Sequence, residues 1–94
     1  MYAKKTVIIN KSGIHARPGS RFVREAKKFV SDITISKLDA EDKPVKSCPA
    51  KSIVQVMAMM LSRGTRVELS AEGEDEQNAV DSLVALIDSG LNDL

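Results

Sequence analysis

Cysteine and histidine each occur once in these 94 residues, as Cys48 and His15. A lone thiol cannot close an internal disulfide, so a reducing cytoplasm is the expected setting. Nothing beside Cys48 assembles a Cys/His ligand set, and it reads as a plain buried or half-buried thiol. With a single His the usual metal cluster of imidazoles and carboxylates cannot be built, so no metal and no cofactor is expected. An excess of charge of either sign is also missing: 14 basic against 13 acidic side chains leave +1. Nucleic-acid binding through bulk charge is therefore excluded. The apolar run Val7 to Ile9 is too short for a signal h-region. No stretch approaches the roughly 20 apolar residues of a membrane helix, so no membrane insertion is expected. Linkers, repeats and low-complexity stretches are absent, and the length suits one domain over residues 1–94 with a modest core, expected to be monomeric.

What is present is a regular alternation of short periodic segments. Lys4 to Asn10 is rich in β-formers and is broken by Ser12-Gly13. From Ala16 to Val30, the apolar residues Phe22, Val23, Ala26, Phe29 and Val30 form one helical face. Asp32 to Leu38 alternates as a half-buried strand around Ile33 and Ile35, and Pro44 to Ser47 forms a short return strand after a charged turn. Ser52 is a good N-cap for a short helix from Ile53 to about Leu61, with Gly64 as the residue beyond its C-cap. Thr65 to Ala71 alternates again, and Gly73 turns the chain. Glu74-Asp75-Glu76 then places negative charge at a helix start. The last helix carries Ala79, Val80, Leu83, Leu86 and Ile87 on one face and stops near Gly90. The order is β-α-β-β-α-β-α, an α+β arrangement with one layer of helices over one antiparallel sheet.

The chemistry concentrates in Gly13-Ile14-His15-Ala16-Arg17-Pro18. Pro18 suits a first helical turn, so His15 falls at the N-cap. A lone His before a helix is by itself an ordinary cap or surface residue. Here a nucleophilic ring nitrogen, a helix N-terminus and a guanidinium lie within two residues of each other, which suits temporary carriage of a phosphoryl group. A neutral imidazole offers its lone pair near neutral pH without a general base. A histidine phosphatase would want a second acid–base residue and more phosphate ligands than this chain offers. Elsewhere, the short helix is apolar on more than one side, with Ile53, Val56, Met57 and Met60 on one face and Val54, Ala58 and Leu61 on another. So small a domain cannot bury all of it, which leaves an adaptable apolar patch.

At Ser12 to Pro18, then Lys51-Ser52-Ile53 with Val56-Met57, then Ser70 to Gln77, the chain resembles HPr, the histidine-containing phosphocarrier of the bacterial sugar phosphotransferase system. The resemblance implies an open-faced β-sandwich: a four-stranded antiparallel sheet covered on one face by three helices. It implies that His15 accepts phosphate on the ring nitrogen nearer the backbone, that Arg17 stabilises it, and that the Ala16 N–H binds it. It makes the protein a cytoplasmic carrier rather than a stand-alone enzyme, passing a phosphoryl group from Enzyme I, ultimately from phosphoenolpyruvate, to Enzyme IIA domains in sugar uptake. Ser20, Arg24, Lys27, Ile53, Val54, Gln55 and Met57 become the partner surface. Without the resemblance, the basic run of Arg21, Arg24, Lys27 and Lys28 is an ordinary solvated face.

Ser52 matches the serine that HPr kinase/phosphorylase modifies in many relatives. This leaves open an HPr-like regulatory role through that kinase and a catabolite repressor, or a carrier in a dedicated non-sugar phosphorelay. As a bare residue, Ser52 is a helix cap. The chain departs from the family pattern between Leu38 and Ala50, which is several residues longer and puts the third strand's register in question. Gln55 and Met60 stand where glycine is frequent in relatives.

Overall fold

The computed structural model describes residues 1–91. The elements are β1 (Tyr2–Val7), α1 (Ala16–Ala26), β2 (Asp32–Leu38), β3 (Pro44–Pro49), α2 (Ile53–Ala58), β4 (Arg66–Glu72) and α3 (Glu76–Asp88). Four antiparallel strands lie in the order β1-β4-β2-β3, so the central β4 pairs on both sides with strands distant in sequence, while β2 pairs with β4 and with its own hairpin partner β3. The expected fold, an antiparallel sheet carrying three helices, is the one observed.

Alternation decides which face is covered. Ile33 and Ile35 of β2 and Val67, Leu69 and Ala71 of β4 are buried under the helices. They meet Phe22, Val23 and Ala26 of α1, Val56 of α2, and Ala79, Val80, Leu83 and Ile87 of α3. Each fully buried large side chain contributes about 1.5–3 kcal/mol, so this aliphatic layer supplies the main driving force.

Several boundaries differ from the sequence reading, each for a long-range reason. β1 spans Tyr2–Val7, paired from Tyr2↔Ala71 to Val7↔Arg66, and Asn10 turns inward to complete burial instead of ending a strand. α1 ends at Ala26 with Lys27 as its cap, well short of Val30. The Val30 and Ser31 amides donate to the Asp75 carboxylate at 3.0 Å, leaving the helix ladder, and Val30 is 76% exposed instead of facing the core. α2 closes at Ala58, and Met60 takes the left-handed conformation beyond the Met59 cap (φ 52°). Its N–H donates to the Met57 carbonyl at 3.2 Å, the left-handed C-terminal cap usually given to glycine. A side chain there costs about 1 kcal/mol or more. Gly64 has a different use: it lies in the turn before β4, donating its N–H to the Ile8 carbonyl at 2.7 Å.

The long Leu38–Ala50 segment resolves into a hairpin. β3 runs on to Pro49, pairing Thr34↔Pro49 through Lys37↔Lys46, with an irregularity between Lys37 and Leu38. The Asp39 carboxylate accepts the Glu41 and Lys43 amides at 2.8 and 3.0 Å, closing the turn. Asp42 reaches across to a two-pronged contact with Arg66, at 2.6 and 2.9 Å. That guanidinium holds the Asp42 carboxyl below the ordinary carboxylate range. Cys48 is half-buried with its Sγ 3.3 Å from Met59 Sδ, and burial pushes the thiol's pKa up.

Candidate functional site

His15 caps α1 in an extended conformation (φ −120°, ψ −160°), its carbonyl accepting the Gly19 amide at 2.7 Å. Its main chain starts the helix while the residue stays exposed, as do Ala16 and Arg17 beside it. The first turn of α1 contains no acidic side chain. The helix end therefore keeps its positive field and adds a guanidinium to it.

The loop that presents His15 is clamped from both sides. Asn10, fully buried, accepts the Gly13 amide on its carbonyl at 2.9 Å and returns Nδ2 to the Gly13 carbonyl. The Ile14 amide donates to the Leu61 carbonyl at 2.7 Å. Gly13 has φ 68°, and a Cβ there would stand 2.4 Å from the Leu61 oxygen, so only glycine lets the loop approach the turn after α2. No sequence pattern reports this clamp. A buried Asn is hard to foresee, and the Leu61 partner is remote in sequence.

A second close approach joins the helices. At Gly19 a Cβ would meet Met57 Sδ at 2.7 Å, with Ile14 Cγ2 and Ile53 Cδ1 each at 3.5 Å. Two open hollows flank this crossing. One, of about 330 Å³, puts His15 beside Ile14, Met57, Met60 and Leu61. The other, of about 280 Å³, gathers Ser20, Arg24 and Lys27 of α1 around Ile53. Met57 thus borders the hollow that contains His15, while Ser20, Arg24, Lys27 and Ile53 border the second hollow.

Other expected residues fall elsewhere. Gln55 lies toward β3, beside Lys46, Cys48 and Met59, and Val54 stands 76% exposed on the outer side of α2. Arg21 donates to the Leu91 carbonyl at 2.9 Å, and Lys28 pairs with Glu25 at 2.9 Å. The Ser82 hydroxyl, then Lys28, hold the Glu25 carboxyl below its usual range. The basic run is thereby divided, with Arg24 and Lys27 lining the hollow. Ser52 caps α2, its Oγ accepting the Gln55 amide at 3.4 Å. The preceding Lys51 Nζ donates to the Phe29 carbonyl at 2.7 Å and fastens the start of α2 to the chain leaving α1. Among the described residues, no group of three or more His, Cys, Asp or Glu is placed to hold a metal ion, and no helix is long and apolar enough to cross a membrane.

The family model for the PTS HPr component phosphorylation site matches residues 2–89. The chain belongs to the HPr family. It is 46% identical over 87 residues to the phosphocarrier protein HPr of Haemophilus influenzae, covering 93% of this chain and 95% of that one. It is 40% identical, also over 87 residues, to the HPr-like protein Crh of Bacillus subtilis, at 93% and 95% coverage. In structure it matches HPr-C-His of Thermoanaerobacter tengcongensis with a TM-score of 0.88 at 41% identity, covering 100% of this chain and 99% of that one. This HPr-family chain thus shares a phosphocarrier's fold, and the role in the phosphotransferase system goes with the family.

Proposed function

We propose that this chain carries a phosphoryl group on His15, taking it from Enzyme I and passing it to Enzyme IIA domains in sugar uptake, as a cytoplasmic single-domain carrier and not a stand-alone catalyst. The observation that carries the reading is an exposed His15 capping α1, whose first turn holds Arg17 and no acid, in an HPr-family chain. In the forward step the imidazole lone pair, at Nδ1 by the family pattern, attacks phosphorus. The new N–P bond forms as the bond to the donor breaks, and that electron pair leaves with the donor. The Ala16 and Arg17 amides and the Arg17 guanidinium offset the negative charge shared between donor and acceptor. Because the same contacts serve a bound phosphate and a departing one, the group can leave as readily as it arrives.

Ser52 is a second, regulatory site in this reading. A phosphate on its Oγ would sit at a helix start that tolerates it. It would also add about −1.5 to −2 charge beside Ile53 and Met57, opposing apolar docking.

The test is phosphorylation by purified Enzyme I with labelled phosphoenolpyruvate. Wild type should take a label that is lost in acid and kept in alkali. His15→Ala should take none while staying folded, since losing a cap costs at most about 2 kcal/mol. A label that survives acid, or persists in the alanine variant, would assign the acceptor role to another residue.

A further inference from the structure

Burying a polar side chain is costly unless each of its polar atoms finds a partner. Three polar residues are buried among those described: Asn10, Ser31 and Ser36. Two of them are matched. The Ser31 hydroxyl donates to the Asp75 carboxylate, and the Ser36 hydroxyl meets that of Ser47 at 2.9 Å. Asn10 differs. It is fully buried, yet its Oδ1 meets no donor among the described residues. An apolar residue of similar size would fill the same space without stranding an oxygen, so packing does not account for the amide. What the amide provides is one contact, from Nδ2 to the Gly13 carbonyl.

That contact acts two residues before the phosphoryl acceptor. The Gly13 carbonyl and the Ile14 amide belong to one planar peptide unit. Asn10 Nδ2 holds its carbonyl end, and the Leu61 carbonyl holds its amide end at 2.7 Å. A planar unit gripped at both polar ends cannot turn about its flanking bonds. Gly13 needs this restraint, because a glycine at φ 68° leaves that conformation more freely than any other residue. On the far side, the His15 carbonyl accepts the Gly19 amide at 2.7 Å. The main chain is thereby fixed on both sides of His15, which sets the direction in which its side chain leaves the backbone. We propose that Asn10 is a positioning residue for phosphoryl transfer: through the Gly13 carbonyl, its buried amide holds His15 in the orientation that in-line attack on phosphorus requires. The inference rests on the carrier reading above. Being fully buried, Asn10 contacts neither the phosphoryl group nor a partner, so its effect belongs to the transfer step and not to docking.

The experiment measures phosphorylation of wild type, Asn10→Ala and Asn10→Val by Enzyme I. It then follows transfer from each phosphorylated protein to an Enzyme IIA domain, well below the melting temperature of each. Both substitutions remove the donor, and Asn10→Val fills more of the space, so a cavity and a lost hydrogen bond are told apart. Each variant should lose about tenfold or more in kcat while KM stays near wild type. The factor should be the same with donor and acceptor, because a misplaced His15 impairs both exchanges alike. Unchanged kcat in either folded variant, a loss confined to KM, or a loss with one partner only overturns the inference and leaves the carrier reading standing. Failure of both variants to fold at the assay temperature overturns it as well and assigns Asn10 to the fold alone. If wild type itself accepts no phosphate from Enzyme I, the carrier reading falls and this inference falls with it.

Discussion

The N-termini of α1 and α3 are built from similar parts and put to opposite use. Each follows a left-handed glycine, Gly13 in one case and Gly73 in the other. At α3 the chain fills the helix start with its own acids. Asp75 accepts the Val30 and Ser31 amides and the Ser31 hydroxyl, while Glu76 accepts the Gly73 amide at 3.0 Å and pairs with the N-terminal amine at 3.3 Å. At α1 the first turn carries no acid, and an exposed imidazole and guanidinium stand there instead. One helix start is occupied by the chain's own acids, and the other carries none and, in the carrier reading proposed above, receives the phosphoryl group. α2 lies between them, capped by a neutral hydroxyl through a long 3.4 Å contact.

The most direct way to break this contrast is to give α1 what α3 already has. Ala16→Asp places a carboxylate in an exposed first turn, where it should raise helix stability by about 0.3–1 kcal/mol. The same carboxylate competes for the amides and repels the incoming phosphate at close range. Phosphorylation by Enzyme I should fall about a hundredfold or more, a barrier near 2.7 kcal/mol. Stability rising while transfer falls would separate the two uses of a helix start in one molecule. If transfer persists at the wild-type rate, the first turn of α1 does not hold the phosphoryl group.

A smaller change tests the intermediate case. Ser52→Asp should leave α2 capped, since aspartate is as good an N-cap as serine. Its charge lies beside the apolar residues that border the His15 hollow, so acceptance of phosphate should slow about tenfold, roughly 1.4 kcal/mol. Single-turnover rates compared with Ser52→Ala decide the matter: equal rates in the two variants would reduce Ser52 to a cap.

The same contrast explains what could be read from the chain alone. β2 was legible to the residue, because Ile33 and Ile35 alternate locally and fall on the buried face. The start of α1 was legible too, since Gly13, His15 and Pro18 lie within one hexapeptide and their backbone preferences act locally. Its end was not. Val30 lies 45 residues from the Asp75 carboxylate that captures its amide, and no helical periodicity reports that. The end of α2 is hidden for a related reason: the nearest glycine is Gly64, while Met60 adopts the left-handed cap against its own preference. At the site, His15, Ala16 and Arg17 are a local pattern. The Asn10–Gly13–Leu61 clamp and the joining of Ser20, Arg24, Lys27 and Ile53 depend on how α1 crosses α2. Gln55 shows the limit, for a residue inside the expected patch faces β3 instead.

The smallest effect is expected at the other pole of the comparison, in Asp75. The Ser31 hydroxyl first, then the Val30 amide, hold this carboxyl below its ordinary range. A folded-state value below the unfolded one, near 3.9, means the ionised group adds stability above that pH. The contribution is lost as pH falls through the folded value. D75N keeps one carbonyl oxygen but replaces the other acceptor with a donor, so the Val30 amide loses its partner. The variant should melt below wild type at neutral pH, and the gap should narrow as acid protonates the wild-type carboxyl. Glu76 and Asp81 are lowered as well and titrate in both proteins, so the difference between the two melting curves isolates Asp75. Phosphorylation by Enzyme I at neutral pH and moderate temperature should be the same for both, because Asp75 ties the chain leaving α1 to the start of α3 and stands apart from His15. A melting gap that stays constant through the acid range would show that the Asp75 charge plays no part in holding that junction.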